Sequence, residues 1–235
     1  MNHTDIAARP GMHQDQIDFS SRHPWHFLLW GLAGALVLFV IDLAVHGFGL
    51  VLLNEAGAIE MASALLYAYA AIVWLWTRPG DSWKQSWQVP TVMLMMMGRE
   101  FDLDKKLTSV GILKSNLYLT NTAPVMERIL GVLVIAFAVT AIIRLLALNG
   151  PAFLDGLRQR ALWAFSLVVG AGFAVVSKSV DGIARKLAPL GITLNEQTDT
   201  FMFVAEELLE FGIPVMLLIA VIGSVRLQYD KTLTK

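Results

Sequence analysis

The chain has 235 residues, of which 56% are hydrophobic and 16% charged, with a formal net charge of −1. A mean hydropathy of +0.59 leaves too little polar side chain to cover a water-soluble fold of this length, and the charge balance excludes a nucleic-acid partner, whose phosphates need basic groups. The absence of cysteine excludes disulfides, thiolate metal sites and iron–sulfur clusters.

In chain order, residues 1–26 are polar and read as a cytoplasmic N-terminal segment. The apolar run that follows is long and lacks a small-residue cleavage site, so it reads as a retained first span rather than a signal peptide. Five apolar runs are clear: Phe27–Phe48, Ala56–Thr77, Ile129–Leu148, Ala161–Val176 and Phe201–Val225. At ~1.5 Å per residue the longer ones cross ~30 Å of hydrocarbon. None alternates as a barrel strand would, and a lipid-embedded backbone must bond to itself, so the runs are expected to be helices. Between the second and third lies Trp83–Leu103, which is long enough to span only if its charged end is counted. Its apolar core, Val89–Met97, stops at Gly98, Arg99 and Glu100. The expected fold is all-α: a polytopic transmembrane helical bundle over residues 27–226, six spans favoured and five possible, with a cytoplasmic tail at 227–235.

Arg9, Arg22, Arg78 and Lys84 flank the first hairpin on one side, whereas its other end, Gly49–Gly57, has no Lys or Arg. Positive residues stay inside, so the N-terminus is expected in the cytoplasm. The same rule is better satisfied by five spans than by six. Six are favoured because they bring the membrane-depth charges to one leaflet, where a single polar pocket satisfies them together. Trp25, Trp30, Trp74, Trp76, Trp83 and Trp87 lie near span ends, as an aromatic belt would. Gly31 with Gly34, and Gly170 with Gly172, read as close helix contacts.

An ionisable group in a membrane helix costs at least ~2.5–3.5 kcal/mol on insertion scales, so each needs a partner or a purpose. Asp42 and His46 share a face of the first helix, and Glu60 opens the second. Glu206 and Glu210 share a face of the last helix with Glu207 beside them, four residues before Pro214. Pro214 removes the donor to the Glu210 carbonyl, so a kink is expected there. Glu100, Asp102 and Asp104 among Arg99, Lys105 and Lys106 also suit a solvated loop; Asp42 with His46 also suits a packing pair. The consecutive methionines Met95, Met96 and Met97, with Met93, point round a helix and read as packing rather than as a copper site.

These motifs resemble a set of uncharacterised bacterial polytopic membrane proteins. The resemblance rests on Gly-Ala-Ile-Glu at 57–60, Arg-Glu-Phe-Asp-Leu-Asp-Lys at 99–105, Lys-Ser at 114–115, Ser-Lys-Ser-Val-Asp at 177–181 and Glu-Glu-Leu-Leu-Glu at 206–210. It implies six membrane helices, a bacterial cytoplasmic (inner) membrane location and a common role for the motifs, and it implies no reaction.

Three functions fit. The first is an enzyme that uses a divalent cation, magnesium, manganese or iron, on a lipid or lipid-linked substrate. Its candidate catalytic carboxylates are Glu206, Glu207, Glu210, Glu60 and Glu100. Lys114, Lys178 and Arg99 would bind an anionic head group, and Asp42, His46, Glu60, Glu210 and Asp102 would ligate the metal. The second is a cation- or proton-coupled transporter or channel, for which intramembrane Asp, Glu and His are the usual relay groups. The third is a non-catalytic subunit whose charges pair with other membrane subunits.

Overall fold

The computed structural model describes residues 25–47, 57–77, 86–120, 123–191 and 193–233, with side chains as far as Val225. The polar segment to residue 24, Trp83, the orienting residues Arg9, Arg22, Arg78 and Lys84, and the side chains of the tail lie outside the described residues.

The regular structure among the described residues is entirely helical. Long helices are α1 (Trp25–His46), α2 (Ala58–Thr77), α6 (Val125–Arg158), α7 (Leu162–Val180) and α9 (Glu196–Leu233); α3 (Gln88–Glu100) is intermediate, and α4 (Leu103–Leu107), α5 (Asn116–Leu119) and α8 (Ile183–Leu187) are short. Four of the long helices, with Glu196–Val225 of α9, are long and apolar enough to cross a membrane. The protein is therefore an all-α polytopic bundle. Its outer helices show the solvent it was built for. Leu29, Trp30, Leu36 and Val40 of α1 and Leu133, Ile143 and Leu146 of α6 are exposed, a surface that water would not tolerate and lipid requires.

The core forms around α2. Its small residues Ala62, Ala70 and Ala71, with Leu66, Val73 and Trp74, pack against Phe27 and Ala35 of α1, Met93 of α3 and Leu218, Val221 and Ile222 of α9. Small side chains allow close approach where no hydrophobic force separates helix from lipid. Gly31 makes such a contact, since a Cβ there would stand 3.1 Å from Leu218 and from Tyr69; Gly170 does so against Met216 at 3.3 Å. Gly34 and Gly172 have nothing within 4 Å, so only half of each glycine pair does the expected job. Trp74 is buried in the core and does not belong to an interfacial belt. At the end of α1, Gly47 adopts φ +79° and its N–H bonds the Leu43 carbonyl at 3.0 Å, a left-handed helix stop that glycine makes without strain.

The contacts at the helix ends give the directions. α3 begins against α6, where Trp87 stacks on Phe137 with centroids 5.6 Å apart and Gln88 Nε2 donates to Asn149 Oδ1 at 3.3 Å. It ends against α9, where Arg99 meets Glu210. α7 begins with Trp163 beside Gly223 of α9 and ends with Ser177 bonded to Glu210. Among the described residues the chain thus passes six times along the bundle, alternating in direction, with α3 as the short pass. Its 13 residues cover only ~20 Å, the stretch between Ser224 and Glu210 of α9. We expect reporters fused after Lys114 and beyond Leu233 to lie on opposite sides of the membrane; both on one side would restore five passes.

The helices also exceed their apolar runs. α1 starts at Trp25, α6 continues through Pro151 to Arg158, and α9 starts at Glu196 and runs through Pro214 without a break.

Candidate functional site

Because α9 starts at Glu196, the glutamates at 206, 207 and 210 sit in its third and fourth turns, beyond the reach of the helix-start dipole. They need partners from other helices, and Glu210 has them. Its Oε1 accepts from Ser177 Oγ of α7 at 2.9 Å and from Arg99 Nη2 of α3 at 3.1 Å. Lys178 Nζ of α7 stands 3.3 Å from the same oxygen. The Glu210 side chain is 14% exposed, while both cations are about half exposed.

Arg99 is a fork. Its Nη1 donates to Glu100 Oε1 at 3.3 Å, so one guanidinium joins carboxylates of α3 and α9, which its planar donor array suits better than an ammonium would. The Glu100 side chain is only 6% exposed. Lys178 also has two acid partners, since Asp181 Oδ2 lies 3.1 Å from its Nζ. Lys186 Nζ donates to the Lys178 carbonyl at 2.9 Å and closes the end of α7 as a basic C-cap does. The hydrogen bond from Lys178 holds the Asp181 carboxyl below its usual range. A carboxyl depressed on folding adds stability above its ordinary titration range and loses it as pH falls through the folded value. Acidification below about pH 4 is thus expected to loosen the α7–α8 corner, slightly, because the pair is half exposed.

Glu60 and Glu207 complete the cluster. Glu60, Glu100 and Glu207 lie within electrostatic reach of one another, and Glu206 within reach of Asp181 and Glu210. One end of the bundle therefore gathers carboxylates from α2, α3 and α9 around Arg99 and Lys178, with Lys186 of α8 within reach of Glu206. Beneath them α2 carries two groups that the sequence reading passed over. Ser63 is 1% exposed and Tyr67 0%, and neither hydroxyl has a hydrogen-bond partner among the described residues. Their spacing from Glu60, three and seven residues, places all three on one helix face. That spacing was available in the sequence; their burial was not.

Other expected site residues have separate duties. Asp42 Oδ2 accepts from the Ala58 N–H at 3.2 Å, and its Oδ1 lies 2.6 Å from His46 Nδ1. Asp42 thus caps α2 from the neighbouring helix by meeting one of its unpaired N–H groups. Asp42→Asn is expected to lower stability by ~0.5–2 kcal/mol, read from thermal unfolding in detergent. Asp102, at φ +49°, pairs with Lys105 at 2.7 Å and starts α4. The following loop is folded rather than open: Ser109 donates twice to Glu127 Oε2, at 2.9 and 2.7 Å, and Tyr118 Oη donates to the Ile112 carbonyl at 2.6 Å. Lys114 is exposed on this loop.

Among the described residues no group of three or more His, Asp or Glu side chains is placed to hold a metal ion. The expected ligands are committed elsewhere: Asp42 and His46 to the start of α2, Asp102 to Lys105, and Glu210 to its three donors. No known family model, curated protein or solved structure matches the chain.

The far end of the bundle is different in character. A cavity of about 330 Å³ between α2, α3, α6, α7 and α9 is lined mainly by apolar groups, Trp74, Met93, Leu146, Phe153, Trp163 and Val221 among them.

Proposed function

We propose that this membrane protein binds protons or a small cation at its ionic end, with Glu60, Glu100 and Glu207 as the groups that take the positive charge. One observation carries the reading. Glu60, Glu100, Glu206, Glu207 and Glu210, from three helices, gather at one end of the bundle, and Glu100 and Glu210 already share Arg99. Carboxylates crowded at membrane depth repel one another, and taking up a positive charge relieves that repulsion. A metal-dependent enzyme has less support, because it needs several ligands converging on one point. We place the protein in the bacterial cytoplasmic membrane with its N-terminus inside, so that the cluster faces outward.

The test is proton uptake and cation-dependent stability of the purified protein. On a downward pH step in weak buffer, wild type takes up protons that Glu60→Gln/Glu100→Gln/Glu207→Gln does not. If the species is a metal cation or an ammonium ion, it raises wild-type stability by ~2.7 kcal/mol at a hundred times its dissociation constant and leaves the variant unmoved. Equal uptake by both proteins, with no cation effect on either, defeats the reading.

A further inference from the structure

We infer that the species bound is the proton and that Ser63 and Tyr67 relay it along α2, between Glu60 and Glu100, with ordered water between them. This rests on the reading above and goes on to name the species and its route.

Two buried hydroxyls have no protein hydrogen-bond partner among the described residues. A buried hydroxyl without a partner costs roughly 1–3 kcal/mol. Phenylalanine and alanine would fill the same space without that cost, so Tyr67 and Ser63 call for a partner that is not protein. Water is the ordinary one in a polar, enclosed space. Position narrows the role. Ser63 and Tyr67 are one turn apart on the face that carries Glu60, and Tyr67 lies within electrostatic reach of Glu100, Arg99 and Glu210. The two hydroxyls therefore extend a polar line from the cluster into the bundle, and the line stops there. Beyond Tyr67, α2 presents Ala70, Ala71 and Trp74 to Met93, Leu218 and Val221.

Hydroxyl chemistry selects the proton over a metal ion. Each hydroxyl both donates and accepts. It can take a proton on an oxygen lone pair and release its own to the next acceptor, ending neutral. The Glu60 carboxyl gives its proton to a water at Ser63, which hands one on through the Ser63 hydroxyl and the next water to Tyr67 Oη as Tyr67 gives its own to the Glu100 carboxylate; each O–H bond broken is matched by one formed, and the net change is one proton moved from Glu60 to Glu100. A metal ion would need several oxygen ligands at one point, and among the described residues no three carboxylates are placed to provide them. The charged groups that set the balance are Asp42 at the α1 end, Glu60 on α2, Arg99 and Glu100 on α3, Lys178 and Asp181 at the end of α7, Arg185 and Lys186 on α8, and Glu206, Glu207 and Glu210 on α9.

The experiment is stopped-flow proton uptake by the full-length purified protein with a pH-indicator dye, paired with thermal unfolding. Tyr67→Phe keeps the ring and loses only the hydroxyl, and Ser63→Ala is as conservative, so both are expected to fold. The relay predicts that Tyr67→Phe slows uptake at least about tenfold while leaving the total number of protons unchanged, and that Ser63→Ala slows it in the same direction. Wild-type rates in both variants, with Tyr67→Phe more stable than wild type, would show hydroxyls that are buried and idle, and would overturn the relay. A wild type that takes up no protons but is stabilised by sodium or magnesium overturns the relay and keeps the cation reading. Uptake unaffected by the triple glutamine variant overturns the reading itself.

Discussion

Glu210→Gln should lower the unfolding free energy by roughly 1–3 kcal/mol, the largest loss expected from any change at the ionic end. The side chain keeps its shape but loses the charge that holds Arg99 and Lys178. Removing one member of a fully buried pair costs ~3–5 kcal/mol, because the other charge is stranded. Exposed pairs cost only ~0–1 kcal/mol. Glu210 is largely buried and its cations are half exposed, so the loss falls between these limits. For a chain of this size each kcal/mol shifts the unfolding midpoint by about 2–4 °C. Arg99→Met tests the cause. If the loss comes from stranded charge, the double variant Glu210→Gln/Arg99→Met is more stable than the sum of the single losses predicts, a coupling that a double-mutant cycle measures directly. Strict additivity would mean that Glu210 acts through Ser177 and Lys178 and not through Arg99. The glutamine variant should still take up protons, since Glu60, Glu100 and Glu207 remain.

The second large effect is expected far from the ionic cluster, at Gly156. A Cβ at this position would lie 2.6 Å from Trp163 Cζ2 and 3.0 Å from Ala164 Cβ, both on the next helix. The turn between them is short. The Ala161 N–H bonds the Gly156 carbonyl at 2.8 Å, and Arg160 takes φ +53°, so α6 and α7 cannot separate without breaking their connection. Trp163 cannot retreat either, because Gly223 of α9 stands behind it, with a Cβ there meeting its backbone at 3.2 Å. The indole is held between two glycines on different helices. Gly156→Val should therefore cost about 1–3 kcal/mol through overpacking, and Trp163→Leu in the same chain should recover part of it. Gly172→Ala is the control. With open space around it, that change should be neutral or stabilise by up to ~1 kcal/mol through helix propensity. Equal losses at positions 156 and 172 would mean that helix contact is not the cause.

The spans, their helical form and the end of the molecule that carries charge are properties of the sequence alone. Each follows from local composition, because a bilayer forces every backbone group to pair within its own segment. The acidic faces at 206–210 and the Glu60 position were legible for the same reason: spacing along a helix fixes its face. What those groups do depended on residues far away in the chain. The partners of Glu210 are 33 and 111 positions distant, and nothing in their own segments marks them as its donors. Asp42 with His46 looks like a ligand pair until α2 arrives antiparallel and offers an unpaired N–H. Whether Val89–Met97 makes a full pass was undecidable from its length. The structure adds what holds each end of that short helix, Asn149 on one side and Glu210 on the other. Tyr67 and Ser63 were invisible among ordinary small and aromatic residues. A hydroxyl becomes informative only when packing from three helices shuts it away from water, and that burial belongs to the tertiary structure.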